Sequence, residues 1–421
     1  MKRKRVALVL AGGAARGAYE IGVVQYVLEE VAASLGRPLR FDILCGTSVG
    51  ALNACGFAAW AHEGKAAVSR LLHVWHSLRL ESLVRTDVRS LLTSFGLRAT
   101  NVPAREGGML DPTGIEDLVH ESIPFERIDE NLAEGHVDAL TVSTTHVQSG
   151  RTVVFVQTAS GKLPRWSADP TIEPRAVKIR APHALASAAI PILFRSVRID
   201  GEFHCDGGLR QNVPLSPARR LGADALLVIN PRFVETRGAE RSASRNQGGS
   251  GAQPPSVYAA LAPADPKKEE AFPGPLFLLG KTLNALLLDR IDTDLARLES
   301  VNRILDAGTR AWGEEFIPTL NATLGYAPGH GLRPLRPMLV RASRDIGALA
   351  SDFVRAHQST MTGITGRVMR RLAASSGDPN ESDLLSYVLF DGRFAKELIE
   401  LGWSDAKDRH DELCDFFRGL G

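Results

Sequence analysis

Cysteine is scarce and unpatterned in this chain. The four present, Cys45, Cys55, Cys205 and Cys414, show neither a CxxC pair nor metal-ligand spacing, so nothing points to a redox motif or a cysteine-held metal, and a reducing compartment fits best. Cys45 and Cys205 read as small buried packing residues. Long apolar runs are missing too: none approaches the roughly 20 residues that cross a bilayer. The basic start Met1-Lys2-Arg3-Lys4-Arg5 leads into an apolar run that breaks at Gly12-Gly13, which is not the pattern of a secretory signal; its charges read as a solvated terminus. Strong charge of one sign is absent, with a net +2 over 421 residues, and no nucleic-acid partner is expected. That balance hides an asymmetry, because residues 376–421 carry eleven acids against five bases. No Gly-Lys-Ser/Thr follows the first glycine loop, which excludes a P-loop, and no internal repeat is present.

What the chain does have is three short glycine-framed motifs. Gly12-Gly13-Ala14-Ala15-Arg16-Gly17 follows the apolar run Val6 to Ala11, and Gly46-Thr47-Ser48-Val49-Gly50 follows Phe41 to Cys45. Both open onto helical spacing, so each predicts a strand–turn–helix corner. At the second corner the flanking glycines let the backbone turn without a Cβ clash, and Ser48 falls at the tip of a nucleophile elbow. A serine hydroxyl is a poor nucleophile near neutral pH, so it needs a base and donors for the developing oxyanion. Amides of the Gly12 to Gly17 loop, at a helix N-terminus, supply the donors. Asp206 of Asp206-Gly207-Gly208 supplies the base. It follows Val197 to Cys205, which reads as a hairpin around the Asp200-Gly201 turn and holds Asp206 at a strand end. A lone G-x-S-x-G is as often a structural turn as a catalytic one; three motifs in order weigh toward catalysis. The rival meaning of the first loop, a dinucleotide fingerprint, fits poorly: Ala14 replaces the second glycine, and Asp42 opens the following strand instead of closing it. Arg16 reads as an anchor of the loop before a phosphate ligand.

In these residues the chain resembles the patatin-like phospholipase family, whose blocks are a glycine-rich oxyanion loop, a G-x-S-x-G elbow and an Asp-Gly-Gly or Asp-Gly-Ala. Ala186-Ser187-Ala188-Ala189-Ile190-Pro191 also resembles the stretch that precedes the aspartate in that family. The resemblance spans about residues 5–345. It implies Ser48 as nucleophile and Asp206 as its base, in a dyad without histidine that hydrolyses lipid acyl esters. Gly12, Gly13, Ala14, Ala15, Arg16 and Gly17 form the implied oxyanion loop, Gly46, Thr47, Val49 and Gly50 frame the elbow, and Gly207 and Gly208 complete the third motif. Phospholipids or lysophospholipids, met at a membrane surface by a cytoplasmic enzyme, are the implied substrates, with no metal and no cofactor. One departure is Ala14, which stands where the family usually has a third glycine; its N–H is kept, so the hole survives provided the backbone there does not need a positive φ. A Ser–His–Asp triad is the competing mechanism. After Asp206 only His330, His357 and His410 remain, none in a strand-to-loop setting, while His183 and His204 precede it and read as polar wall residues.

The organisation agrees with that class. Ala18 to Val31 and Ala51 to His62 have helical spacing; Val137 to Ser143, Arg151 to Gln157 and Ala223 to Asn230 read as strands, the last after a helix-like Pro214 to Leu221. The alternation predicts an α/β fold, a three-layer α/β/α sandwich around a largely parallel sheet, with the site at the carboxyl ends of the strands. About residues 235–275 turn rich in Gly, Ser, Ala and Pro and read as a flexible insertion. Leu276-Phe277-Leu278-Leu279, with Leu283, Leu286, Leu287 and Leu288, reads as a core helix, with a mobile cap or membrane-docking element as the sharper alternative. Leu288, Ile291, Leu295, Leu298, Val301 and Leu305 then recur at helical spacing, Arg336 to Ala342 supplies a last strand, and residues 346–421 form a helical C-terminal region. Two other functions share these features: an acyltransferase of the same fold, and a catalytically silent lipid-binding or regulatory protein.

Overall fold

Val6–Leu10, five consecutive apolar residues, form strand β1, buried along its whole length. Residues 3–79, 111–164, 166, 169–234, 291–326, 331–359, 366, 370 and 385–420 are described by a computed structural model. Helix α1 (Gly17–Tyr26) follows and runs on through a π-helical stretch to Val31; β2 (Ile43–Thr47) leads through the elbow into α2 (Val49–Ala59), and α3 is Ala66–Ser77. Next come α4 (Thr113–Ser122), α5 (Glu126–Ala133), β3 (Ala139–His146), β4 (Thr152–Thr158), β5 (Ile172–Ala176) and α6 (Ala181–Ser187). A hairpin, β6 (Val197–Ile199) and β7 (Glu202–Asp206), precedes α7 (Leu215–Arg220) and β8 (Ala225–Asn230). The remaining elements are α8 (Ile291–Trp312), α9 (Phe316–Thr323), β9 (Arg336–Arg341), α10 (Ile346–Ala356), α11 (Gly392–Asp408) and α12 (His410–Arg418).

The strands form one sheet in the order β5-β4-β3-β2-β1-β8-β9, with the β6–β7 hairpin attached to β3 through β7. Pairs β1–β2, β1–β8, β2–β3 and β8–β9 are parallel, whereas β3 is antiparallel to β4 and β7. Alternation along β1 sends Val6, Leu8 and Leu10 into one core and Ala7 and Val9 into the other, so both faces are covered, which is why a parallel strand reads as an unbroken apolar run. The result is the three-layer α/β/α sandwich. Asp200 and Gly201, at φ 48° and 88°, make the tight turn expected between β6 and β7.

The C-terminal helices share the core on the α1 face. Phe394, Leu398, Phe416 and Phe417 belong to the same buried cluster as Tyr19, Ile21 and Val24. Helices α1 and α11 meet backbone to backbone at two glycines: a Cβ on Gly22 would collide with the Ile399 carbonyl, and one on Gly402 with the Tyr19 carbonyl. Tyr19 Oη also donates to Asp405 at 2.9 Å. The insertion expected at about 235–275, the apolar stretch Leu276 to Leu288 and His330 lie outside the described residues. Among the described residues no helix is long and apolar enough to cross a membrane.

Candidate active site

The elbow forms because β2 must reverse into α2 within one residue. Ser48 takes φ 55°, ψ −128°, a strained conformation for a residue with a Cβ, and the turn closes only because its neighbours are glycines. A Cβ on Gly46 would strike the Gly50 carbonyl, and one on Gly50 would strike the carbonyls of Leu10 and Ala11 at the end of β1. The Ser48 hydroxyl lies at the carboxyl end of the sheet and donates to Asp206 Oδ2 at 2.7 Å.

Asp206 ends β7 and is fully buried. Its second oxygen, Oδ1, accepts from the Gly208 amide at 2.7 Å, which makes the Asp-Gly-Gly stretch a rigid cap on the carboxylate. Burial pushes the carboxyl up from 3.8 to about 7, against the opposing hydrogen bonds from Ser48 and Gly208. The stretch before the aspartate binds the two halves together. Ser187 Oγ donates to the Ser143 carbonyl at 2.6 Å and accepts from the Ser48 amide at 2.9 Å, while the Asp206 amide donates to the Ala189 carbonyl at 2.9 Å. Positions of Ser48 and Asp206 are therefore fixed from the same helix end.

The glycine loop delivers fewer amides than its sequence offers. The Gly12 amide donates to the Asn212 carbonyl at 3.1 Å, Arg16 to Gly13 at 3.0 Å, and Gly17 to Ala14. Gly12, Arg16 and Gly17 are thus corrected out of the donor set, which leaves the amides of Gly13, Ala14 and Ala15 with no hydrogen-bond partner among the described residues. The condition placed on Ala14 is also not met: it sits at φ 49°, the left-handed region that a third glycine would have entered freely. An L-residue there costs about 1–2 kcal/mol, yet it retains its N–H. Arg16 is an anchor, as expected: its Nε donates to Ser386 Oγ at 2.8 Å and its guanidinium lies 4.1 Å from the Tyr387 ring centroid. The C-terminal region thus grips the loop directly.

Beneath the loop is a polar network that the sequence reading missed. Glu20, fully buried one turn into α1, accepts from Asn53 Nδ2 at 2.8 Å; Asn53 also donates to the Gly17 carbonyl at 3.1 Å and accepts from Trp75 Nε1 at 3.1 Å. Burial drives the Glu20 carboxyl well above the usual range, which favours its neutral form, and the network braces the loop against α2 and α3. An acid placed inside the apolar run Ala18 to Val24 was the available signal.

No histidine among the described residues hydrogen-bonds Ser48 or Asp206. His204 is buried, shares a hydrogen bond with Thr144 at 3.1 Å, and is held neutral by burial, its pKa down to about 4. His183 Nδ1 accepts from the Arg180 amide at 3.0 Å. His357 lies 2.9 Å from the Phe353 carbonyl and His410 3.0 Å from the Tyr26 hydroxyl, both away from the elbow. All four cysteines are free and buried, and burial raises the thiols of Cys45 and Cys205 to about 12, so they pack without reacting. Among the described residues no cluster of acids, histidines or cysteines is arranged to hold a metal ion.

Ser48 and Ala14 stand at the wall of a pocket. Its other walls are mostly apolar, with Leu52 and Val49 from α2, Leu71 from α3, Ile115 and Val119 from α4, and Phe194 and Phe390 from loops. Glu116 and Arg195, paired at 2.9 Å, are its charged groups. A lining of this kind accepts hydrocarbon and presents it to the serine.

An elbow serine bonded to a buried aspartate thus stands at the carboxyl ends of a mostly parallel sheet flanked by helices, which is the patatin fold. The patatin-like phospholipase family model matches residues 8–219, and the chain belongs to that family. It is 31% identical over 209 residues to a cGAMP-activated phospholipase of Pseudomonas aeruginosa, an alignment covering 49% of this chain and 53% of that protein. Uncharacterised NTE family proteins of Mycobacterium bovis and Mycobacterium tuberculosis align at 26% identity over 249 residues, 58% of this chain and 53% of theirs. The chain spans about half the length of the curated relatives it matches. The crystal structure of VipD from Legionella pneumophila aligns over 96% of this chain and 91% of its own at 14% identity with a TM-score of 0.30, a likeness too slight to carry an argument.

Proposed function

We propose that the chain is a serine acyl hydrolase that cleaves phospholipid or lysophospholipid esters through Ser48 and Asp206. The observation that carries the reading is the 2.7 Å hydrogen bond from Ser48 Oγ to Asp206 at the wall of an apolar cavity. Ionised Asp206 takes the hydroxyl proton as Oγ attacks the ester carbonyl. Amides of Gly13, Ala14 and Ala15 stabilise the oxyanion. Protonated Asp206 then returns the proton to the departing alcohol oxygen, leaving an acyl-Ser48 ester. Water, deprotonated by the same carboxylate, attacks that ester; fatty acid leaves and Ser48 is regenerated. The acyl chain occupies the apolar cavity, while the headgroup stays toward solvent.

We assign the hydrolase to residues 5–345, with 346–421 as a C-terminal region that steadies the oxyanion loop through Ser386 and Tyr387. We place this action in the cytoplasm, on lipid met at a membrane surface. The test is lipid hydrolysis profiling of the purified wild type against Ser48→Ala, with a fluorophosphonate label read by mass spectrometry. Labelled Ser48 and free fatty acid released only by wild type support the reading. Acyl transfer to an alcohol acceptor in place of water would make it an acyltransferase, and an unlabelled, inactive wild type would make it a silent lipid binder.

A further inference from the structure

A second cleft lies between α7, α8 and the loop before β9. Beside apolar residues such as Leu215 and Leu298, three arginines, Arg219, Arg297 and Arg333, line it with a single acid, Asp294. The Arg219 side chain has no hydrogen bond or ion pair among the described residues, and Arg297 has only Asp294, at 3.9 Å. Arg333 donates one Nη2 hydrogen to the Arg219 carbonyl at 2.9 Å, yet its Nε is buried with no partner. Its charge is felt by Arg5 and Arg219 as well as by Asp224, and burial together with those like charges lowers its pKa. A buried donor left unpaired beside a second arginine with no side-chain partner is costly unless an acceptor arrives.

The walls are fixed. Asn302 pairs with both the amide and the carbonyl of Leu335, at 3.0 and 2.6 Å, and Asn321 does the same for Leu332, at 2.7 and 2.8 Å. The opposite wall carries Gln211 and Val213. That wall continues into the candidate active site, because the Gln211 carbonyl accepts from Thr47 Oγ1 at 3.0 Å and the Asn212 carbonyl from the Gly12 amide at 3.1 Å.

We propose that this cleft is a binding site for a phosphate-bearing anion, held by the guanidinium groups of Arg219, Arg297 and Arg333. Planar guanidinium forks carried by two helices and a loop on one cleft suit the tetrahedral oxygens of a phosphate better than a monovalent halide. The proposal stands apart from the hydrolase reading, since its test involves neither Ser48 nor turnover. Inorganic pyrophosphate and soluble sn-glycerol 3-phosphate, titrated calorimetrically into the full chain at low salt, separate a free phosphate from a lipid headgroup as the source. Saturable one-to-one binding of either probe is expected, weakened about tenfold or more by Arg219→Glu and by Arg297→Glu. Lys65→Glu, an exposed reversal on α3's flank with the same change in net charge, should leave binding unchanged. Tighter pyrophosphate would assign a soluble ligand, and tighter glycerol phosphate a headgroup. No heat from either probe at millimolar concentration, or equal weakening by all three variants, would overturn the site. Thermal melts of the variants guard against misfolding, and Arg297, largely exposed, is the variant least able to unfold the chain.

Discussion

Acidification should switch the proposed hydrolysis off through one carboxyl. Asp206 accepts the Ser48 proton only when ionised, and burial has raised its pKa from 3.8 to about 7. For a soluble short-chain ester, kcat/KM should be half-maximal near pH 7, level off above it, and fall about tenfold per pH unit below, leaving about 1% near pH 5. Folding should respond in the opposite sense. A carboxyl whose folded pKa lies above its unfolded one contributes stability that is complete below about pH 4 and is lost as the pH rises through about 7. Moving it from 3.8 to about 7 corresponds to about 4 kcal/mol of destabilisation above pH 7. Asp206→Asn should therefore be inactive, melt with the wild type near pH 4, and melt progressively higher than wild type as the pH approaches 7. Initial rates at constant ionic strength and calorimetric melts across the same pH series measure both. A rate profile flat between about pH 5 and pH 8, or a melting advantage of Asp206→Asn that ignores pH, would refute Asp206 as the buried base.

Nucleophile and base act as a unit, so Ser48→Ala and Asp206→Ala should each lower hydrolysis by about a thousandfold or more, with the double variant little worse; additive losses would mean the two act separately. Ser386→Ala removes the hydroxyl that holds Arg16 and should lower kcat about three- to tenfold with KM nearly unchanged, whereas unaltered turnover would leave the C-terminal region without influence on the loop. Ala14→Gly relieves the residue at φ 49° and should be neutral or stabilising by up to about 1 kcal/mol in a denaturant melt, while Ala15→Gly should destabilise; a matching loss at both positions would contradict the strained geometry. Leu52→Trp fills the apolar cavity and should cut kcat/KM for long-chain esters more than about tenfold while sparing a butyrate ester; equal losses on both would place the acyl chain elsewhere.

The elbow shows why part of the site was legible in the chain alone. Gly46 and Gly50 around Ser48, an apolar run before and helical spacing after, specify a tight strand-to-helix turn by local sterics, and the structure supplies the turn at that residue. β1 and β8 were legible for a related reason: strands buried on both faces have no alternative to continuous apolar sequence. The Asp200-Gly201 turn likewise placed Asp206 at a strand end from local conformation.

What is decided over long sequence separation was not legible from local pattern. The pairing of Ser48 with Asp206, 158 positions apart, was expected from the ordered motifs and the family resemblance, whereas the role of Ser187, which accepts from the Ser48 amide 139 positions away, was not read. Six glycine-loop positions all offered amides, and only the tertiary hydrogen bonds from Gly12 to Asn212 and within the first turn determined which remain available. Glu20 looks like an ordinary helix acid until α2 and α3 close over it. The C-terminal helices read as a tail because amphipathic spacing specifies a buried face without naming its partner; the Gly22–Ile399 and Gly402–Tyr19 approaches chose α1. Local sterics and periodicity thus determined the elements and the candidate residue types, whereas close packing between distant segments decided which groups meet, which are desolvated, and therefore which carboxyl burial pushes up to about 7.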